Sequence, residues 1–309
     1  MNKKISIVIP AFNEYGNIRV LTDRLRSTFK NIIYEYEIIF VNDGSIDNTQ
    51  RLLKELNSED SKVNYIELSR NFGHQNALKA GLDMATGDCI ISMDSDMQHP
   101  PELIPQFIKK WEEGYEVVYS IRRESEKLSG FKRNTSKLFY SMINSMSDIT
   151  LESGTADFRL IDRKVANVFA NFSEKEPFIR GLIKWLGFKQ FGIEYDPADR
   201  FSGKSHYTLK KMLRFALQGI TSFSIRPLYT AVYLGFSFSL LSILYIPYVL
   251  YALYTGQEVA GWASVIMTIV FFGGLQLMIL GIIGIYIGKL FMQSKQRPNY
   301  IIRNTSLNN

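Results

Sequence analysis

Met93-Asp94-Ser95-Asp96-Met97-Gln98-His99-Pro100-Pro101-Glu102 follows directly on the apolar run Cys89-Ile90-Ile91. That run has the length and composition of a buried strand. Beyond it, two carboxylates stand two residues apart, and an amide stands two residues further on. In extended backbone every second side chain points the same way. Asp94, Asp96 and Gln98 can therefore offer oxygens to one side of the strand's exit. Oxygen donors at this spacing suit a hard cation such as Mg²⁺ or Mn²⁺. The same residues also fit an acidic turn whose aspartates cap the next helix. On this stretch alone both readings stand.

Working outward, the pattern repeats. Ile5-Ser6-Ile7-Val8-Ile9 reads as a buried strand leading into Pro10-Ala11-Phe12-Asn13-Glu14, and Ile18, Leu21, Leu25 and Phe29 then recur at helical spacing. Glu37-Ile38-Ile39-Phe40-Val41 is a second strand, ending in Asn42-Asp43-Gly44-Ser45. A third runs from Val63 to Leu68, and a helix follows from His74 to Ala85. Strands alternating with helices imply an α/β protein with a mainly parallel, doubly wound sheet and helices on both faces. In such sheets ligands sit at the carboxyl ends of the strands. Glu14, Asp43 and the Asp94/Asp96 pair all fall at such ends. Asn13 can equally cap the first helix, and Asp43 can accept hydrogen bonds from a base or a ribose. No glycine-rich phosphate fingerprint is present, so a nucleotide held here needs a metal to neutralise its phosphates.

Further along, Val117 to Ile121 reads as a strand ending at Arg122-Arg123. Asp157 lies in the apolar-flanked segment Gly154 to Leu160, where Arg159 can pair with it. Phe178 to Leu186 reads as helix and Phe188 to Tyr195 as strand. Arg200 to Tyr207 is a basic polar loop whose Arg200, Lys204 and Ser205 can donate to phosphate oxygens.

The last third changes character. No Asp, Glu, Lys or Arg occurs between Arg226 and Glu258, or between Glu258 and Lys289. Each gap exceeds the ~20 residues that a membrane-spanning helix needs. The expected organisation is a large α/β domain over 1–207 and an interfacial amphipathic helix over 208–226. A transmembrane hairpin over 227–291 follows, with spans at about 228–254 and 262–290, and a tail over 292–309. Lys295, Arg297 and Arg303 in the tail place it and the large domain in the cytoplasm, at the plasma membrane. Gly284 and Gly288 form a Gly-x-x-x-Gly pair through which membrane helices, or copies of the chain, can approach closely. The net charge of +6 suits an anionic membrane or lipid. No nucleic-acid module is visible, and lone Cys89 excludes an internal disulfide and a cysteine-based zinc site.

Together, Pro10 to Glu14, Val41 to Ser45 and Asp94 to Glu102 resemble family-2 glycosyltransferases of the GT-A fold. The branch resembled is that of the polyprenyl-phosphate glycosyltransferases, bactoprenol glucosyltransferases and dolichol-phosphate mannosyltransferases among them. The resemblance implies that Pro10, Phe12, Asn13, Glu14, Asp43 and Asp94 hold a nucleotide diphosphate sugar. It implies that Asp94, Asp96 and Gln98 serve a Mg²⁺ or Mn²⁺ ion, and that Arg122, Arg133, Ser136, Arg200 and Ser205 handle the phosphate of a polyprenyl lipid. Asp96 and Asp157 are the catalytic candidates, and Asp157 matches a position where a base has been assigned. His206 departs from the usual Lys of the loop, although Lys204 stands nearby. The expected reaction moves one sugar, glucose from a UDP donor by resemblance to the bacterial branch, to undecaprenyl phosphate with inversion, for later cell-envelope glycosylation. The acceptor's second pKa near ~6 leaves little for a base to do. The rivals are a processive polysaccharide synthase, whose Gln-x-x-Arg-Trp motif is missing here, and a non-catalytic nucleotide-binding scaffold in the membrane.

Overall fold

A computed structural model describes residues 3–123, 152, 154–175, 177–196, 221, 224–256 and 261–307. Strand β1 (Lys4–Ala11) leads through α1 (Tyr15–Phe29) to β2 (Glu35–Asn42). The chain continues through α2 (Thr49–Glu59), β3 (Val63–Leu68), α3 (His74–Met84) and β4 (Cys89–Ser92). Next come α4 (Ile104–Glu112), β5 (Val117–Arg122), β6 (Thr155–Asp162), α5 (Arg163–Ala170), α6 (Ile179–Trp185) and β7 (Gln190–Tyr195). Two long helices follow, α7 (Arg226–Tyr254) and α8 (Trp262–Ser294), and then β8 (Ile302–Thr305).

Among the described residues the sheet has eight strands in the order β7-β5-β6-β4-β1-β2-β3-β8. β1 pairs in parallel with β2 and β4, β2 with β3, and β5 with β7. β6 runs antiparallel between β4 and β5, and β8 antiparallel to β3. The sheet is therefore mixed, with two strands against the common direction. The reversal of β6 matters most. It brings the start of that strand to the edge where the parallel strands end, because Ser92, the last residue of β4, pairs with Arg159.

Alternation along the strands divides the core. Ile5, Ile7, Ile9, Ile38 and Phe40 pack with α1, α2 and α4 through Ile18, Leu21, Leu53 and Phe107. Val8, Ile39, Val41 and Ile66 pack on the opposite face with α3, α5 and α6 through Leu78, Val165 and Leu182. This is the period-two pattern of a strand covered on both sides. Helix α3 lies unusually close to the sheet: a Cβ on Gly81 would stand 2.2 Å from the Val8 Cγ1.

Among the described residues one stretch, Ser264–Ser294, is long and apolar enough to cross a membrane, and its apolar window is unburied. Of the two expected spans, this measure supports the second. The first is helical across the expected residues, with Pro247 inside the helix. The expected amphipathic helix falls almost wholly outside the described residues. The tail does not stand apart from the large domain. At the end of α8 the Gln293 amide donates to Ser173 O (3.1 Å), and beyond it Asn299 Nδ2 donates to Glu174 O (2.7 Å) and the Tyr300 hydroxyl to Asp83 (2.8 Å). β8 then completes the sheet beside β3.

Candidate functional site

At the end of β4 the Met93 N–H still donates to Val8 O, and the chain then leaves the sheet. Over the next residues exposure alternates. Asp94, Asp96 and Gln98 are partly exposed, whereas Ser95, Met97 and His99 are buried. Two local bonds shape the turn. The Asp94 N–H donates to His99 Nδ1 at 3.1 Å, and the Gln98 N–H donates to the Asp96 carboxylate at 3.1 Å. Met97 takes φ = 64°, a left-handed conformation that a methionine seldom adopts. The buried His99 ring stacks on Phe158 with centroids 5.3 Å apart. With Nδ1 accepting a hydrogen bond from the backbone, the tautomer is the one that carries its N–H on Nε2.

Asp94 Oδ1 is buried and has no hydrogen-bond partner among the described residues. An unpartnered buried carboxylate oxygen is costly unless a cation meets it. Its nearest charged neighbour is His74 Nε2, 3.4 Å away. No cluster of three His, Cys, Asp or Glu side chains able to hold a metal ion occurs among the described residues. Two carboxylates completed by the oxygens of a diphosphate are the usual surroundings of Mg²⁺. The donor set at Asp94 and Asp96 fits such an ion.

Asp157 opens β6 and reaches the same edge. Ser92 Oγ donates to its carbonyl at 2.5 Å. The carboxylate is buried and crowded with donors. Arg180, at the start of α6, grips it with both prongs, Nε to Oδ1 at 2.7 Å and Nη2 to Oδ2 at 2.8 Å. Gln75 Nε2 adds 3.2 Å to Oδ2, and His74 Nε2 lies 3.6 Å away. Arg159, the partner the sequence suggests, stands further off at 3.7 Å. Burial alone would raise the Asp157 carboxyl, but Arg180, His74 and Arg159 outweigh it and hold it well below the usual range. For His74, enclosure would lower the imidazole. The Asp157 bond and the charges of Asp94 and Asp157 win, and raise it to about 9. Burial lowers Arg159 to about 10, with Asp157 opposing the fall.

The remaining expected residues fall into place as follows. Pro10 lies in β1 opposite Val41. Asn13 does not cap α1. With φ = 57°, it accepts from the Ile46 N–H and donates its own N–H to Ser45 Oγ, latching the first two strand exits together. Phe12 is exposed beside this latch, and Glu14 accepts from Asn17 Nδ2 at 2.6 Å. Asp43 is 3% exposed, and its two oxygens accept the Phe72 and Gly73 N–H groups at 2.7 and 2.9 Å. Burial pushes its carboxyl up, and those two bonds oppose the rise. Asp43 thus holds the loop that launches α3. Arg122 ends β5 and is exposed. Arg133, Ser136, Arg200 and Ser205 lie outside the described residues.

His74, Gln75, His99 and Arg180 are absent from the residues that the sequence singles out. His74 and Gln75 follow the end of β3, so the strand-end rule already pointed at them. Arg180 leaves no such signal, being 23 residues from its partner.

Known proteins match this chain along most of its length. Glycosyl transferase family 2 matches residues 6–169, which include all of the acidic strand ends and Asp157. An uncharacterized glycosyltransferase of Bacillus subtilis, YkcC, is 44% identical over 299 residues, 96% of this chain and 93% of its own. The bactoprenol glucosyl transferase of Shigella phage SfV is 39% identical over 302 residues, 97% of this chain and 98% of its own. Among solved structures, the mannosyltransferase PcManGT of Pyrobaculum calidifontis, in complex with GDP-Man and Mn²⁺, superposes with a TM-score of 0.51 at 14% identity. It covers 72% of this chain and 64% of its own, a likeness of fold. The chain belongs to glycosyl transferase family 2, and is a glycosyltransferase on a mixed α/β sheet of the GT-A type.

Proposed function

We propose that this glycosyltransferase moves one sugar, glucose from UDP-glucose, to undecaprenyl phosphate at the cytoplasmic face of the plasma membrane. The observation that carries the donor half is Asp94 Oδ1, buried beside Asp96 without a hydrogen bond among the described residues, at the edge where the strand ends converge. The acceptor half is supported by relatives named bactoprenol glucosyl transferases, whose match runs through the long helices. Pro10, Phe12, Asn13, Glu14 and Asp43 form the nucleoside end of the cleft, with Asp43 acting through the Phe72–Gly73 loop. Asp94, Asp96 and Gln98 hold the divalent ion, Mg²⁺ or Mn²⁺. When bound, that ion supplies Lewis-acid stabilisation of the leaving diphosphate. Arg122, together with Arg133, Ser136, Arg200 and Ser205, orients the acceptor phosphate near the bilayer. The acceptor is mostly dianionic above its second pKa of ~6, so it attacks the anomeric carbon without losing a proton. One displacement inverts that carbon.

The sheet supports a two-span membrane arrangement. β8 lies beyond both long helices, yet pairs with β3 of the large domain. A chain whose two ends share one sheet crosses a bilayer an even number of times. Two spans, at about 228–254 and 262–290, satisfy this. The side chains support it: Leu244, Tyr251, Met267 and Leu277 are each more than 60% exposed, as lipid-facing residues are. The proposed division is a 1–207 domain, a 208–226 interfacial helix, a 227–291 hairpin and a 292–309 tail.

The test is a radiolabel transfer assay on the full-length protein in detergent, offering undecaprenyl phosphate with a panel of UDP- and GDP-sugars. A lipid carrying a single sugar, formed with Mg²⁺ or Mn²⁺ and abolished by EDTA, is the expected product. A polymer would favour a processive synthase instead, and absence of any labelled lipid would sink the acceptor assignment.

A further inference from the structure

The Asp157 carboxylate is filled. Arg180 occupies both oxygens and Gln75 shares the second. A general base needs a lone pair turned towards the proton that it takes. Here the donors instead tie separate segments of chain to one carboxylate. Arg180 also donates Nη1 to Thr155 O at 2.9 Å, fastening α6 to the opening of β6. Gln75 faces both ways. Its Nε2 donates to Asp157, while its Oε1 accepts the N–H of Ile179, the residue before Arg180. The two bonds agree on one orientation of the amide. Next to Gln75, His74 stands between Asp157 and Asp94, 3.6 and 3.4 Å from their oxygens. The start of α3, the start of α6 and the start of β6 thus meet at Asp157, and the meeting point sets where His74 lies against Asp94.

We propose that Arg180 is a positioning residue of the transfer reaction: its two-pronged hold on Asp157 makes that carboxylate an anchor for Gln75 and His74 opposite Asp94. Arg180 and Asp157 then act as one unit. This rests on the nucleotide-sugar reading of the Asp94 site. Lysine cannot take Arg180's place, because an ammonium is a point charge without the planar fork.

The experiment follows UDP release by the full-length protein in detergent, with and without undecaprenyl phosphate. The variants are Arg180→Gln, Arg180→Lys, Arg180→Ala, Asp157→Asn and the double Arg180→Gln/Asp157→Asn. Loss of the anchor is expected to lower kcat about 10- to 100-fold, the scale of a misplaced active-site wall. The KM for donor should change less than about threefold. Arg180→Lys should resemble Arg180→Gln, the double variant should be no worse than the worse single one, and added guanidinium should restore part of the Arg180→Ala activity. Melting temperatures identify any variant that fails to fold; Arg180→Lys, which keeps charge and bulk, then carries the comparison. Wild-type kcat in Arg180→Gln or Arg180→Lys would overturn the proposal. So would an Asp157→Asn loss at least tenfold beyond that of Arg180→Gln with additive losses in the double variant, because that is the pattern of a base. Release that does not need undecaprenyl phosphate would sink the acceptor assignment while leaving the Arg180 comparison readable. A wild type that releases no UDP or GDP from any donor in the panel would overturn both.

Discussion

At the scale of single residues, the acidic turn depends on a buried histidine. His99 supplies the acceptor for the Asp94 N–H, and its ring fills the space against Phe158. His99→Ala leaves that N–H without its partner, which costs about 1–3 kcal/mol. A melting curve should fall by several degrees, and the donor KM should rise as Asp94 loses its fixed direction. A second residue acts at the opposite end of the strands. Buried Glu37 accepts from Lys4, Ser6 and Thr86. Burial would raise its carboxyl, but those bonds together bring it below its ordinary value. A carboxyl lowered on folding adds stability above its unfolded pKa of ~4.3, and that stability is lost as pH falls through the folded value. Glu37→Gln should therefore lower the melting temperature at pH 7 and flatten its decline below about pH 4.3. Residue types and spacing made the Asp94, Asp96, Gln98 alternation readable, because it is local. Arg180 was unreadable because its meaning comes from a partner brought near across an intervening helix, α5.

At the scale of elements, the strand–helix alternation was legible because each buried strand carries its own apolar run and each helix its own period. What could not be read was direction. In sequence β6 stood out only as an apolar-flanked segment, and its neighbours β4 and β5 make it an antiparallel strand. That reversal turns Asp157 from a residue at the far end of the sheet into one beside Asp94. The packing of α3 on β1 is a second property of pairs. Because a Cβ at position 81 would meet the methyl groups of Val8 at 2.2 Å and Val41 at 3.0 Å, Gly81→Ala should destabilise by about 1–3 kcal/mol, despite alanine's better helix propensity. Chemical denaturation would measure this. Adding Val8→Ala should recover part of the loss if crowding is the cause.

At the scale of the whole molecule, the charge-free gaps made two long helices legible. The pairing of that tail with β3 had no sequence signal, since four residues, Ile302–Thr305, are too short to stand out. The proposed topology can be read with single cysteines. Cys89 is fully buried and gives no background to a maleimide. Lys54→Cys on α2 and Asn304→Cys on β8 should label from the same face of sealed membrane vesicles, and Thr255→Cys, past the end of α7, from the other. Labelling of positions 54 and 304 from opposite faces would rule out the hairpin.

The place of β8 also sets an order of birth. Of the described elements, synthesis delivers β1 to β7 first, then α7 and α8, and β8 last. Until Ile302–Thr305 leave the ribosome, the edge of β3 offers unpaired N–H and C=O groups to any neighbouring chain. The large domain, although first to emerge, finishes its sheet only after both helices have found their place. A chain that stops short of Ile302 would thus carry an intact acidic turn and an open, adhesive flank.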